Sequence, residues 1–439
     1  MDRKFFPFFP VLSEPFRFYA PRMLPALGIV ATFAAGFLIP RGAPPASPQV
    51  EAVTVRADRL LPPPLTSDRA VRWLSLVGAS ALRDAGLRES VVKAMAPAEV
   101  TAYEAHATFD AADGAALNEA LAKTLELRGG LDASLRERIR SAQARVEAID
   151  AGLIDAAARA LQEQTKTPTQ DLATQARLCY AIANAAHSVG DTRGVPVSFV
   201  SPVPLLEAIS GLAETEAATI RAITLRSAQA RADIARRLAL ETLAMRLPAA
   251  EASATQAQMA LTSLLANQTS IDPAHMQFVV HGVSAQGAFG PAAELARLNG
   301  DLLAELRSSL PAGLAYTMAS RLDSKRAISP PRQLLIKTLT DGTPEARELA
   351  TAFAEHDLAE WIAQLHTDAD RLTVAARLSK DIVANDPSTW QVAPPSAQFI
   401  RWQQLEHRHA EQSRARLAAA KTAAKAIADL TAPAPATAP

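Results

Sequence analysis

From residue 66 onward, apolar side chains recur at every third or fourth position, the spacing of one face of an α-helix. Thr66-Ser67-Asp68 supplies a helix start, and Val71, Leu74, Val77, Ala81 and Leu82 continue it at helical spacing. Between Asp132 and about Gln164, Ile139, Ala142, Val146, Ile149, Leu153, Ala156 and Ala160 step alternately by three and four, while Arg138, Arg140, Glu147 and Arg159 fill the other faces. This predicts a helix-pairing seam with coiled-coil character. Its alanines and Gly152 weaken it, which favours an intramolecular hairpin over a free-standing coiled coil. A second run, Leu205 to Leu247, has no internal proline and places Ile209, Ala213, Ile220, Ile223, Ala230, Ile234 and Leu238 near the same spacing. Unbroken, it would be roughly 64 Å long. Pro248 ends it.

Two short stretches depart from the helical period. Residues 190–204 read GDTRGVPVSFVSPVP, with Val195, Val197 and Phe199 alternating around prolines, which predicts an extended linker or edge strand. Met276 to Val283, MQFVVHGV, is the other β-like run, so a minor two-stranded pairing is expected at most. Gly282 to Pro291 reads as a hinge into shorter helices at about 291–309, 311–322, 330–340, 344–384 and 396–430, and the Ala/Pro stretch from Thr431 reads as a disordered tail. No fixed period of 34 to 45 residues persists that would make a solenoid.

The start of the chain has a different pattern. Met23 to Ile39 holds 17 residues without a charge, between Arg22 and Pro40-Arg41. As a helix it spans roughly 26 Å, enough for a thin bilayer core, and Pro25 falls in the first turn, where a missing donor is tolerated. Arg3, Lys4, Arg17 and Arg22 precede it and only Arg41 follows before Arg56, so the positive-inside rule predicts a cytoplasmic N-terminus. The rival readings are a cleaved signal peptide and a buried helix of a soluble domain. A 22-residue leader and the prolines of the Gly-Ala-Pro-Pro-Ala stretch argue for the uncleaved anchor. The leader packs six phenylalanines and a tyrosine among prolines and basic residues, which suits the headgroup layer and leaves a docking peptide as the sharper alternative. Residues 40–50 and the Leu61-Pro62-Pro63-Pro64-Leu65 stretch read as Pro-rich spacer.

The expected organisation is therefore mainly α: a leader (1–22), a transmembrane helix (23–39), a spacer (40–65) and an elongated multi-helix bundle. The bundle divides into a helical region with the hairpin-like seam (66–189), an extended linker (190–204), a long-helix region (205–282), a C-terminal helical region (283–430) and a tail (431–439). Composition sharpens this. The 94 alanines make much of the apolar fraction small helix-forming surface, and nine of the 22 aromatics lie in the first 40 residues. Equal numbers of basic and acidic residues, 45 each, give no field to concentrate nucleic acid, and no basic stripe changes this locally.

Candidate chemistry is sparse. The chain contains no H-E-x-x-H, G-x-S-x-G, G-x-x-x-x-G-K-[ST] or G-x-G-x-x-G string. Gln286-Gly287-Ala288-Phe289-Gly290-Pro291 is the nearest imitation of a phosphate loop, and without a lysine it reads as a hinge. His356 and His366 are ten residues apart and do not share one helix face, and His407 and His409 point apart on a helix, so both groups read first as solvated surface. A metal-dependent enzyme would need Glu355, His356, His366, Asp370 and His407 to converge from separate elements. Cys179, with His187 two turns away, reads as a buried small hydrophobe and not a nucleophile. Asn267-Gln268-Thr269 matches a glycosylation sequon. Trp73, Trp361, Trp390 and Trp402 read as pins between helices. No catalytic, cofactor-binding or metal residue is assigned and no cofactor is expected. The expectation is a single-pass, membrane-anchored extracytoplasmic helical scaffold or adaptor that contacts lipid through residues 23–39 and a protein partner or a second copy elsewhere. Its alternatives are a membrane-tethered or secreted helical enzyme of the metal-dependent hydrolase class and a ligand-binding sensor domain.

Overall fold

The structure is a computed structural model that describes residues 61–431, apart from 190–194, 256–258, 260–272, 323–328, 385–396 and several single positions. The leader, the expected transmembrane segment, most of the spacer, Asn267, Trp390 and the tail lie outside the described residues. The chain is mainly α-helical, with no strand among those residues. In order, the helices are α1 (Ser67–Val77), α2 (Ala85–Ala94), α3 (Ala96–Phe109), α4 (Ala115–Glu126), α5 (Ala133–Thr165), α6 (Gln170–Val189), α7 (Val203–Ala208), α8 (Glu214–Arg226), α9 (Ala228–Ala244), α10 (Pro273–Ser309), α11 (Ala312–Leu322), α12 (Pro330–Asp341), α13 (Pro344–Ala384) and α14 (Ala397–Thr431). Among the described residues, no helix is long and apolar enough to cross a membrane.

The helix ends follow local chemistry. Thr66 caps α1 by accepting from the Arg69 N–H, while Asp84 and Asp132 accept from Leu87 and Leu135, each at 2.7 Å, to start α2 and α5. Gly78 ends α1 at φ 125°, a conformation L side chains rarely adopt, and its N–H returns to the last carbonyls of the helix. A π-turn, Asp110–Gly114, joins α3 to α4.

Three expectations change. The 205–247 run is three helices and not one: a 3₁₀ turn at Ile209–Gly211 separates α7 from α8, and the chain breaks again at Ser227 before α9. Each break resets the helical phase, so Ile220, Ile223, Ile234 and Leu238 are buried as expected whereas Ala213 and Ala230 are exposed. Met276–Val283 belongs to α10 and not to a strand. A short apolar run fits either element, and the helix that continues on its C-terminal side decides. Gly282–Pro291 is likewise not a hinge; α10 runs through it with Pro291 inside the helix.

Among the described residues, four larger hydrophobic cores and a small α6–α9 cluster (Ala181, Ile182, Ala228, Ala232) hold the helices, and the long helices serve more than one. The N-terminal core gathers α1, the C-terminal half of α5 (Leu153, Ile154, Leu161) and α6 around Leu74 and Met95. A smaller core takes Phe109, Leu117 and Leu121 against the other half of α5 (Leu135, Ile139, Val146) and the end of α9 (Leu240, Leu243). The central core is built by α6, α9, the first part of α10 (Ala285–Ala296), the last part of α13 (Ala369–Leu378) and Phe399 and Leu405 of α14. The C-terminal core takes Leu302, Leu303 and Leu306 of α10, α11, Phe353 to Leu365 of α13, and Ala420 and Ile427 of α14. α10 and α13 therefore lie antiparallel, both crossing from one core to the next. The α5 face expected to form a seam is shared among α1, α2, α3, α4 and α6, so no single long partner makes it a coiled coil. Alanines at the crossings let helix backbones approach closely, which explains their abundance in the N-terminal, central and C-terminal cores.

Candidate functional site

Three buried polar centres are the places where chemistry could reside. The first is Asp150 on α5, fully buried about one turn from Val146 of the small core and about one turn from Leu153 of the N-terminal core. Its Oδ1 accepts from the Leu65 backbone N–H at 3.1 Å and lies 2.9 Å from His106 Nε2, and its Oδ2 accepts from the Tyr180 hydroxyl. Four separate segments meet at one carboxylate: the stretch before α1, and α3, α5 and α6. Next to it, Ser67 donates through both its N–H (3.2 Å) and its hydroxyl (2.7 Å) to Glu99 of α3. Burial, then the Asp150 charge, push the Tyr180 phenol well above its ordinary range, so it stays protonated and donates. A histidine and a carboxylate at hydrogen-bond distance are the elements of a general base. Here both are sealed in, and the carboxylate is consumed by three donors.

Tyr180 also borders a cleft of about 250 Å³ lined by Glu147, Thr174, Arg177, Leu178 and Arg236. Its cations are neutralised: Arg236 forks onto Glu147 at 3.1 and 2.6 Å, and Arg177 reaches Asp155 at 3.2 Å. A second cleft, about 470 Å³, lies between α10, α11 and α13 over Leu310 and Ile362, with Arg307 and Glu355 at its rim 3.9 Å apart.

The second centre joins α11, α12, α13 and α14. Asp357 receives Arg416 through Nε at 2.8 Å and Nη2 at 3.1 Å, the Tyr316 hydroxyl at 3.0 Å, and the Arg332 guanidinium at 3.5 Å. Arg416 lies over the Trp361 ring, 5.2 Å from its centroid, and its Nη1 donates to Gln364 Oε1 at 2.8 Å. Burial first and Asp357 second raise the Tyr316 phenol above its usual range. From Gln364 the polar strip continues to Ser413, His409, Asp368, Arg371 and Glu406.

The third centre is Arg231 of α9. Its guanidinium is fully buried and, among the described residues, has no carboxylate within ion-pair distance. It donates to Asn299 Oδ1 at 2.6 Å, the Leu298 carbonyl at 2.7 Å and Ser227 Oγ at 3.0 Å, and it stands 5.7 Å from the Phe199 ring centroid. Burial lowers it to about 10, still a cation at neutral pH.

The residues that a metal-dependent enzyme would need are not brought together. Glu355, His356, His366, Asp370 and His407 are all exposed; His366 lies 3.8 Å from Asp301 and His407 pairs with Glu411 at 3.0 Å. Among the described residues, no three His, Cys, Asp or Glu side chains cluster as a metal site. Helix geometry explains the outcome: these positions follow one another along the solvent faces of α13 and α14. Cys179 is buried, and desolvation pushes its thiol up to about 12, which removes the thiolate that nucleophilic chemistry needs. The Gln286–Pro291 stretch holds no anion cradle; the Glu241 carboxylate packs against Gly287, where Arg136 grips it. Trp73 of α1 meets Tyr180 of α6 edge-on at 6.0 Å and so pins two helices together, whereas Trp402 stacks at 5.6 Å on Phe399 of its own helix, α14. Asp150, Asp357, Arg231 and Arg416 were not singled out from the sequence, because a charged residue in a helical pattern reads as surface until its distant partners are known. The chain matches no protein-family model, no curated protein and no solved structure.

Proposed function

We propose that this chain is a single-pass membrane-anchored, extracytoplasmic α-helical scaffold or adaptor. The anchor is Met23–Ile39, the N-terminus is cytoplasmic, and the helical body contacts a protein partner or a second copy and not nucleic acid. The observation that carries the scaffold reading is how the buried polar groups are used. Asp150, Asp357, Arg231 and Arg416 each cross-link helices, and their hydrogen-bonding groups are spent on one another, not on a cleft. Polar groups arranged this way specify one packing of otherwise interchangeable alanine-rich helices. The test is the intact mass of the protein together with protease protection on membrane vesicles carrying the full chain. A full-length, membrane-bound species whose body is shielded from protease on the cytoplasmic side supports the reading. A soluble product beginning near Phe37 or Ser47 overturns the anchor and makes the apolar run a signal peptide. Crosslinking on the same vesicles tests the scaffold: recovery only of uncrosslinked monomer, across reagents that reach the exposed α3 side chains Val100 and Tyr103, counts against it.

A further inference from the structure

Along the strip between α13 and α14, a single nitrogen faces two incompatible demands. Arg416, a donor at every pH, holds Gln364 Oε1 at 2.8 Å, and this fixes the orientation of the Gln364 amide. Its Nε2 group therefore faces Ser413 Oγ at 2.6 Å and His409 Nε2 at 3.0 Å. An amide N–H can only donate, so His409 Nε2 must present a lone pair, which requires a neutral ring with its proton on Nδ1. The same Nε2 lies 3.3 Å from Asp368 Oδ1, where a lone pair is repelled and an N–H is welcome. We propose that His409 is a protonation switch at the α13–α14 joint: neutral, it accepts from Gln364; protonated, it turns its Nε2–H to Asp368 and releases Gln364, loosening the hold of Gln364 on Arg416.

The proton comes from solvent, which reaches the partly exposed ring, and no covalent bond changes. The charges around the ring come from both packed helices. From α13, Asp368 favours the charged form and Arg371, 2.9 Å from Asp368, opposes it. From α14, Glu406 pairs with Arg371, and Arg416 opposes protonation through Gln364. α12, also packed on α14, contributes Arg332, which faces Asp357 and not His409. His407 and Glu411 pair with each other on the outer face of α14. The consequence reaches inward, since Arg416 is the buried partner of Asp357 and helps join α14 to α13 and α11. The switch does not depend on the membrane anchor or on a partner.

The test is nuclear magnetic resonance on the full chain in detergent, labelled with ¹⁵N in histidine, glutamine and arginine and titrated between about pH 8 and pH 5, the range in which histidines change charge. The expected result is the Nδ1–H tautomer for His409 at the alkaline end, with the Gln364 side-chain amide and the Arg416 Nε–H moving at the His409 midpoint. Asp368→Asn, which removes the carboxylate awaiting the proton, lowers that midpoint by roughly one unit, a tenfold loss of proton affinity. Gln364→Met, which removes the donor to the neutral form, raises it. An Nε2–H tautomer at high pH, a Gln364 amide indifferent to the His409 titration, or a midpoint that Gln364→Met leaves in place would overturn the proposal. The wild-type titration decides alone if either variant fails to fold.

Discussion

Removing the Asp150 carboxylate tests whether buried polar groups hold this fold together. Asp150→Ala leaves three donors without an acceptor: the Leu65 N–H, His106 Nε2 and the Tyr180 hydroxyl, all in buried residues. Each orphaned buried group costs about 1–3 kcal/mol, and breaking a buried charged network from one side costs about 3–5 kcal/mol. The Leu65 amide is the least able to adapt, because a backbone N–H has no rotamer to turn. We expect Asp150→Ala to lose about 3–5 kcal/mol, and Asp150→Asn about half of that, because the asparagine oxygen still serves Leu65 while its amide donates to the Tyr180 oxygen. Tyr180→Phe, which leaves one carboxylate oxygen short of a donor, should cost about 1–2 kcal/mol, and the double variant should fall short of the sum because both remove the same bond. Urea unfolding of the full chain followed by circular dichroism gives the free energies. Hydrogen exchange at the Leu65 amide gives the local readout, with protection lost in Asp150→Ala and kept in Tyr180→Phe. A loss under about 1 kcal/mol in Asp150→Ala, or a Leu65 amide that stays protected, would refute the reasoning.

Other outcomes follow from single contacts. A methyl group at Gly287 would overlap the Glu241 carboxylate, so Gly287→Ala should destabilise the protein and break the Arg136–Glu241 pair. In a Glu241→Ala background the same change should instead stabilise by up to about 1 kcal/mol, the helix preference of alanine over glycine, as thermal unfolding of the wild type and the three variants would show. Cys179, with its thiol pushed up to about 12, should resist iodoacetamide at pH 8 in the folded protein and react once urea unfolds it; labelling followed by mass spectrometry checks this. Cys179 and Tyr180 both hold their protons more tightly when folded, so the unfolded chain alone gives up protons as pH climbs past their ordinary values of 9.0 and 10.0. Stability is therefore complete below about pH 9 and falls above it, and Cys179→Ala with Tyr180→Phe should flatten that fall in urea titrations at alkaline pH.

Much of the helix map was written locally. In the C-terminal half, Pro311, Pro330 and Pro344 mark the helix starts, and the expected spans 330–340, 344–384 and 396–430 match α12, α13 and α14 to within a residue at each end. Proline and glycine act on their own backbone, so their effect can be read without knowing the fold. The break at Ser227 carries no such mark, and the apolar spacing on either side of it stays close enough to helical to hide it. The polar centres were illegible for a different reason. Asp150 follows Ile149 in an ordinary amphipathic pattern, and what distinguishes it are His106 and Tyr180, 44 and 30 residues away. Of the histidines that were conspicuous as letters, His366 and His407 each meet one neighbouring charge, whereas His409 sits between Gln364 and Asp368 of α13, 45 and 41 residues away in the chain, and nothing local marks it out.

The way the long helices are shared between cores has a consequence for how this body can be divided. α5 links the N-terminal core to the small one, α9 links the small core to the central one, α10 and α13 link the central core to the C-terminal one, and α7 closes the circuit back to the N-terminal core through Val203 and Leu206. Every cut in the chain between α1 and α14 therefore strips a wall from at least one core without freeing a complete one. Such a body is not modular. Truncated fragments should fail to fold alone, yet a single backbone nick in a connecting segment should leave the two pieces associated, each supplying what the other lacks. Sequence insertions are tolerable at the connections, but exchange of a segment for one from another protein is not, because no segment owns its core.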